Sequence, residues 1–385
     1  MKKTLLASSA LVAASLLAAP AMAGTVGSKD SMAVTVGGAL WFAFQLVDED
    51  VSAGQGQGYG FKVNETEVHV GASNTADNGI KYGVNIELSG GGGDATSADE
   101  AYAYIDSDVW GRLELGDQDD VTNRMMLGSW NAHKGLGGPF GGLGMLLSGW
   151  ESLGAANLMS RADHQALTSG DDTKASYFSP RFGGFQVGAS LTPDTGVNAG
   201  GVASLLDTDN DGDYNNVIGL AANYVGKFDD IGVGLSVFYE TGDDVNVTGV
   251  NNSAEIEDLE ILGIGGNVST AGFTFGAHYR DLNNSEMTAA QVAAGASGGE
   301  QWSVGLGYQA GPWGVSVWYL DAERNAATSA VTTEVTRLGF GAGYTVAPGW
   351  LLRADLEFLS HDNIGGVATT DNDGRGFLLT NMFIF

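Results

Sequence analysis

Residues 231–240 read IGVGLSVFYE, and this stretch decides the predicted fold. The large aliphatic residues Ile231, Val233, Leu235 and Val237 occupy every second position, and glycine, serine and other residues stand between them. Successive side chains of a β-strand point to opposite faces of a sheet. The stretch therefore predicts a strand with one apolar face and one face of small or polar residues.

The same alternation recurs along the chain and predicts about sixteen strands, each long enough to span a bilayer. The predicted strands span residues 33–47, 61–73, 80–88, 100–106, 110–116, 173–179, 185–192, 217–225, 231–240, 259–269, 272–281, 301–309, 313–322, 334–345, 350–360 and 375–385. No link between them contains an amphipathic segment of helix length, so neighbouring strands should pair antiparallel. The predicted fold class is all-β, an antiparallel up-and-down barrel.

Loop lengths and aromatic positions indicate that this barrel spans a membrane. From the sixth strand onward, short turns such as residues 270–271 alternate with long polar loops such as residues 241–258, as in outer-membrane barrels. Aromatic residues stand at both strand ends, for example Trp313 beside a short turn and Tyr279 beside a long loop. Two such rows are typical of interfacial girdles. A soluble β-sandwich, whose apolar faces pack on a second sheet, is the alternative and explains neither pattern.

Residues 1–23 are predicted to be a cleaved signal peptide. Lys2 and Lys3 precede a short apolar run, and an A-x-A cleavage pattern ends at Ala23. The apolar run is too short for a membrane-spanning helix. The mature chain, residues 24–385, should form the barrel outside the cytoplasm.

Composition points away from nucleic acid and toward cations. The chain has 17 basic and 46 acidic residues and a formal net charge of −29. Such a surface repels nucleic acid and attracts cations. The chain has no cysteine, so it does not rely on disulfides.

The longest break in the alternation spans residues 117–172. This stretch is rich in glycine and is too long for an unstructured connection in a compact domain unless the loop carries the function. We predict that it folds inward at the mouth of the barrel and narrows the channel, as a constriction loop.

Several motifs, taken in chain order, resemble those of the sixteen-stranded Gram-negative general porins of proteobacteria. The motifs are VTVGGA at residues 34–39, EAYAYI at 100–105, WGRLELGD at 110–117, GPFGG at 138–142, YFSPRFGGF at 177–185 and the terminal Phe385. The resemblance implies an outer-membrane location, contact with membrane lipid and lipopolysaccharide, and homotrimers. It also implies that the third external loop folds into the channel.

The narrowest ring of side chains should set the transport barrier. Candidate constriction residues are Lys81, Arg112, Glu114, Asp117, Asp119, Asp120, Glu151 and Lys174. In one interpretation, loop carboxylates face a wall cluster containing Lys81 and Arg112 and create a transverse field that orients solutes and makes the pore mildly cation-selective. In the other, these charges pair with one another and fix the loop in place. Both interpretations remain open at this point.

A short acidic segment raises the question of calcium. Asp207, Asp209 and Asp211 have the spacing of the first oxygen ligands of a calcium loop, but Ile218 stands where the bidentate glutamate should be. A weak external calcium site and a solvated acidic loop are both compatible with this pattern. No other cofactor is predicted.

The sequence favours a water-filled channel for passive diffusion of small hydrophilic solutes and ions. A substrate-specific outer-membrane channel is the alternative, and an aromatic track along the lumen would favour it. The five histidines show no nucleophile motif, so an enzyme is not expected. A plugged structural barrel is disfavoured because glycine-rich inner faces indicate open space.

Overall fold

The computed structural model describes residues 31–50, 58–90, 97–136, 138–139, 169–196, 214–244, 255–285, 287–325, 332–363 and 371–385. The predicted signal peptide and much of the predicted constriction loop lie outside these residues. No helix within the described ranges is long and apolar enough to cross a membrane.

Sixteen β-strands make up most of the described chain, and each corresponds to one predicted strand. They are β1 (Ala33–Glu49), β2 (Tyr59–Thr75), β3 (Lys81–Ser89), β4 (Ser97–Ser107), β5 (Gly111–Asp117), β6 (Thr173–Phe178), β7 (Phe185–Asp194), β8 (Asn215–Phe228), β9 (Ile231–Asp243), β10 (Leu259–Thr270), β11 (Phe273–Asp281), β12 (Glu300–Ala310), β13 (Trp313–Asn325), β14 (Thr332–Ala347), β15 (Trp350–Asp362) and β16 (Asn372–Ile384). The described connections contain the helices α1 (Val121–Met125) and α2 (Ala289–Ala293) and a 3-10 helix (Ser129–Ala132).

The sheet closes on itself. Every strand pairs antiparallel with its neighbours in sequence, and β1 pairs with β16. At this seam Leu40 lies opposite Phe383, and Gly38 and Phe385 exchange backbone hydrogen bonds of 2.8 and 3.0 Å. Closure leaves no unpaired strand edge. Such an edge would expose backbone N–H and C=O groups to lipid without hydrogen-bond partners. The predicted antiparallel up-and-down barrel is confirmed.

The strands present their aliphatic side chains outward. In β9, Ile231, Leu235 and Val237 are 45%, 56% and 43% exposed, whereas Ser236 and Phe238 on the other face are buried. The described strands form one closed sheet, and no second sheet covers its apolar face. This arrangement contradicts a soluble sandwich and leaves the outer face for lipid.

Aromatic rings pair across neighbouring strands at both ends of the barrel. The rings of Trp313 and Tyr344 lie 4.1 Å apart beside the short turns. Those of Trp302 and Tyr319 lie 5.3 Å apart toward the long loops. These contacts lie in the two predicted aromatic rows, where amphipathic rings suit the membrane–water interfaces.

The first part of the long loop, residues 118–136, lies inside the barrel. The Leu127 N–H donates to Ser236 Oγ of β9 at 2.8 Å. The Lys134 N–H donates to Ser316 Oγ of β13 at 2.9 Å. The loop therefore follows the inner wall from β9 to β13, and serine hydroxyl groups of the wall accept hydrogen bonds from its backbone N–H groups.

Inner-face glycines let the loop backbone lie directly against the wall. A Cβ atom on Gly276 would lie 2.8 Å from the carbonyl carbon of Gly128 and 2.9 Å from Ser129 Cα. Gly265 and Gly305 face loop carbonyl groups in the same way. The expectation that glycine-rich inner faces mean open space is wrong for this part of the wall, because loop backbone occupies that space.

We predict that Gly276→Ala destabilises the protein, since its Cβ would overlap loop backbone and overpacking costs about 1–3 kcal/mol. The measurement is the midpoint of thermal unfolding in detergent, followed by circular dichroism. Gly71→Ala is the matched control, because its Cβ would meet only the exposed Thr35 hydroxyl. Equal midpoints for the two variants would contradict the proposed packing of the loop.

Candidate constriction site

The loop begins with a carboxylate that caps α1. Asp120 accepts hydrogen bonds of 2.8 Å from the Asn123 N–H and from Thr122 Oγ1. An N-cap aspartate satisfies an N–H group that the first helical turn leaves unpaired. The side chain is buried, and burial raises the pKa of the Asp120 carboxyl. Asp120 therefore shapes the start of the loop.

Lys174 of β6 fastens the two ends of the loop together. Its ammonium group donates to the carbonyl oxygens of Ser169 at 3.0 Å, Gly170 at 2.6 Å and Asp172 at 2.7 Å, and to that of Gln118. Gln118 follows β5, whereas the other three residues precede β6. Because Lys174 is only 3% exposed, it holds the base of the loop instead of facing open water.

Glu114 lies between two arginines. Arg112 and Arg124 both donate to its carboxylate, which is fully buried, while their own side chains stay 29% and 28% exposed. The guanidinium carbon of Arg112 lies 3.9 Å from the centre of the Tyr104 ring, and that of Arg124 lies 4.6 Å from the Phe178 ring. Two guanidinium groups share one carboxylate, so positive charge exceeds negative charge here.

A cavity of about 540 Å³ lies beside these arginines on the short-turn side of the loop. Arg112, Arg124 and Arg181 line it, and we call these three residues the arginine group. Arg181 donates to the Gly184 carbonyl at 2.7 Å and to Asn223 Oδ1 at 2.9 Å, which are neutral acceptors. The cavity wall also includes the carboxylates of Asp106 at the end of β4 and of Asp108 in the turn that follows, so it combines charges of both signs.

Carboxylates gather on the long-loop side. Glu100, Asp119 and Asp171, here called the carboxylate cluster, each place an oxygen within 4.8 Å of the others. The Asp119 N–H donates to Glu100 Oε1 at 3.2 Å. Burial, reinforced by nearby carboxylates, raises the pKa of Asp171 to about 7. Burial also raises the pKa of Asp119.

A closed sixteen-stranded barrel with a loop packed inside it is the architecture of a pore, and comparison with known proteins identifies its family. A family model described as Gram-negative porin matches residues 7–363. The chain belongs to the Gram-negative porin family. The protein is therefore a channel of the Gram-negative outer membrane and not an enzyme.

Solved structures of other porins share this fold. The anion-selective porin from Comamonas acidovorans is 14% identical, with 92% of this chain and 100% of that chain covered and a TM-score of 0.61. The trimer form of OmpT from Vibrio cholerae is 13% identical, with coverages of 92% and 100% and a TM-score of 0.57. A variant of the Rh. blastica porin is 15% identical, with coverages of 91% and 100% and a TM-score of 0.58. A comparison with curated protein sequences finds no match.

The structure of this porin divides the predicted constriction residues by role. Arg112 and Glu114 lie together beside the cavity, and Asp119 lies in the carboxylate cluster. Asp120 and Lys174 instead hold the loop through hydrogen bonds to backbone groups and a hydroxyl, and not through the charge pairing of the second interpretation.

Two other candidates lie at the margins of the site. Lys81 is the first residue of β3, its Nζ lies 3.6 Å from Asp108 in a short turn, and its side chain is 54% exposed. Lys81 therefore sits at the short-turn rim, in the same cross-strand row as Asp106 and Arg112. That loop carboxylates face this part of the wall stays a prediction. Asp117 accepts a hydrogen bond from Thr173 Oγ1 where the loop meets β6.

The remaining candidates lie outside the described residues. Glu151 belongs to this group, as do Asp207, Asp209 and Asp211 of the possible calcium loop. Their roles stay predictions from the sequence.

Sequence reasoning missed several charged residues of the site. Arg124 and Arg181 join the arginine group, and Glu100 joins the carboxylate cluster. Basic residues are few in this acidic chain. The positions of Arg124 near the start of the loop and of Arg181 beside a short turn could therefore have marked them as candidates. The clustering itself depends on which strands are neighbours and on their register.

We predict that Lys174→Met loosens the loop, because it removes three ammonium N–H donors from among four carbonyl groups, and a hydrogen bond to a charged group contributes about 1.5–3 kcal/mol. The thermal midpoint should fall, and single-channel conductance should become larger or noisier. Lys81→Met is the matched control, since this lysine is exposed and pairs only with the exposed Asp108. An unchanged Lys174→Met channel would argue against the anchoring role.

Proposed function

We propose that this porin lets small hydrophilic solutes and ions diffuse passively across the outer membrane, with a mild preference for cations. The observation that carries the preference is the carboxylate cluster at the root of the inward-folded loop. A pore concentrates ions whose sign is opposite to that of its narrow part. An anion-selective porin has a related fold. The fold therefore does not decide whether a pore prefers cations or anions, and the side chains in the lumen must decide it.

Buried aromatics favour general diffusion over the alternative of a substrate-specific channel. Phe238 and Trp318, which could have formed an inner aromatic track, are each only 2% exposed. Tyr102 is 7% exposed. Rings buried this deeply pack against the protein and offer little surface for a passing solute.

A homotrimer is the proposed assembly, supported by the trimer form of OmpT, which has the same fold. Removal of residues 1–23 as a signal peptide is also proposed, because an outer-membrane protein must be exported.

Lipopolysaccharide is the proposed lipid partner at the long-loop end of the outer surface. There, acidic residues lie directly opposite one another across five strands, β11 to β15. The opposing pairs are Asp281–Glu300, Glu300–Glu323, Glu323–Glu334 and Glu334–Asp362. Like charges in directly opposite positions destabilise a sheet, and divalent cations shared with lipid phosphates would relieve the repulsion.

We predict that the double variant Glu100→Gln/Asp119→Asn shifts the reversal potential in a salt gradient toward anions at pH 9, where the native carboxyl groups carry their charge. A unit charge about 4 Å from an ion contributes about 1 kcal/mol in water, so the cation-to-anion permeability ratio should fall roughly two- to fivefold. The double control Asp77→Asn/Asp229→Asn removes the same charge from short turns outside the pore and should leave the ratio unchanged. Equal shifts in both double variants would assign the preference to overall charge.

The cation preference should also rise between pH 5 and pH 8. Asp171, whose pKa is raised to about 7, is largely protonated at pH 5 and largely ionised at pH 8, so the lumen gains negative charge as pH rises. The charged and titratable groups facing it are Glu87, Asp99, Glu100, Asp119 and Lys174. Reversal potentials measured at both pH values in metal-chelating buffer test this expectation. The pH dependence should weaken in Asp171→Asn. A native channel whose permeability ratio does not change with pH would contradict the expectation.

A further inference from the structure

A histidine and two glutamates meet on the inner wall beside the carboxylate cluster. His69 Nε2 lies 2.9 Å from Glu67 Oε2, and its Nδ1 lies 3.2 Å from Glu87 Oε1. The side chains of Glu67, His69 and Glu87 are 12%, 18% and 14% exposed. They are therefore largely shielded, yet each keeps contact with the lumen.

The strands hold these three side chains in place. Glu67 and His69 are two residues apart in β2 and so project from the same face. His69 lies directly opposite Glu87 of β3. Asn85, also in β3, donates from Nδ2 to Glu87 Oε1 at 2.9 Å and orients that carboxylate. Side chains on paired strands are more precisely placed than side chains on a loop.

We propose that Glu67, His69 and Glu87 form a binding site for a divalent first-row transition-metal ion such as Zn²⁺. One ligand atom from each residue lies within 4.8 Å of the other two. Zinc binds imidazole nitrogen and carboxylate oxygen at about 2.0–2.2 Å. The two glutamates face different ring nitrogens of His69, so an ion bound to one nitrogen takes the glutamate beside that nitrogen as its carboxylate ligand. The glutamate that faces the second ring nitrogen can accept its N–H, the arrangement that usually orients a metal-bound histidine.

The histidine distinguishes this site from the neighbouring carboxylate cluster. Within the described residues, these are the two groups with three or more suitable ligands, and the cluster of Glu100, Asp119 and Asp171 offers only oxygen. Imidazole favours zinc, copper, iron and nickel, whereas an all-oxygen set suits magnesium and calcium. The site should therefore prefer zinc to calcium.

The competing arrangement is an imidazolium that bridges the two glutamates and keeps both ring protons. A metal ion must displace one of these protons, because the ligating nitrogen has to be unprotonated. The nearby carboxylates raise the local cation concentration and favour the exchange. The proposal does not depend on the ion preference of the open pore, since a site can bind zinc whatever the permeability ratio.

Calorimetric titration of ZnCl₂ into tag-free, metal-free protein in detergent tests the proposal. The native protein should show a saturable zinc site that Ca²⁺ at the same concentration does not fill. His69→Gln and Glu87→Gln should each weaken zinc binding by roughly tenfold or more, the size of loss expected when a ligand or its supporting group is removed. Circular dichroism establishes that each variant forms the barrel, and either variant suffices for the test.

Glu100→Gln is the matched control, because it removes a nearby lumen carboxyl group but no proposed ligand. It should weaken zinc binding much less than Glu87→Gln does. Absence of saturable zinc binding to the native protein would overturn the site, and so would undiminished binding to His69→Gln. Equal losses of zinc affinity in Glu100→Gln and Glu87→Gln would show that carboxylates attract zinc without a defined site. Calcium that fills the proposed site as well as zinc does would show the same.

A second measurement follows the current through single channels. Zinc added on the long-loop side should reduce or interrupt the native current, and His69→Gln channels should be insensitive. Zinc block that persists in His69→Gln would place the blocking ion elsewhere and contradict the site.

Discussion

Every backbone N–H and C=O group inside a lipid bilayer must find its partner within the protein. This requirement forces the sheet to close, and the seam between β1 and β16 meets it with backbone pairing that continues to Phe385. Once closed, the single sheet separates lipid from water. Alternate residues of each strand therefore face different solvents, aliphatic on the outside and small, polar or charged on the inside.

The inner face is itself divided between packing and charge. On β10, β11 and β12, glycines face the loop backbone, and no side chain intervenes. On β2 to β5, the inner face carries charged side chains such as Glu67, Glu100 and Arg112. A wall position can offer close backbone approach or a charged group, but not both. The glycines thus position the loop on one part of the wall, and the charged groups of the site lie on another.

The strands could be predicted because their signal is local, a period of two in a single stretch of sequence. The alternation of β2 was unclear around residue 65, and the structure explains why. A register shift opposite Trp41 and Phe42 leaves one residue of β2 unpaired, which breaks the alternation of faces. The same dependence on register hid the contact between His69 and Glu87, since it requires knowing which residues of two strands lie opposite.

The role of Lys174 could not be predicted for a related reason. Strand alternation correctly placed it on the inner face, where a lysine in a water-filled pore would be a mobile charge. The structure surrounds its ammonium group with carbonyl groups from both ends of the loop. Those partners are backbone carbonyl groups, which every residue carries, so nothing in the sequence marks them.

An ion crossing this porin meets two groups of charges in series, and α1 connects them. Asp119, just before the helix, belongs to the carboxylate cluster, and Arg124, within it, belongs to the arginine group. The two groups are not equally neutralised. Two guanidinium groups share the carboxylate of Glu114, whereas Lys174, which keeps its ammonium charge while it donates to carbonyl oxygens, partly offsets the charge of the carboxylate cluster. Because the barrel is shared with an anion-selective porin, the sign of the ion preference depends on these lumen side chains and not on the fold.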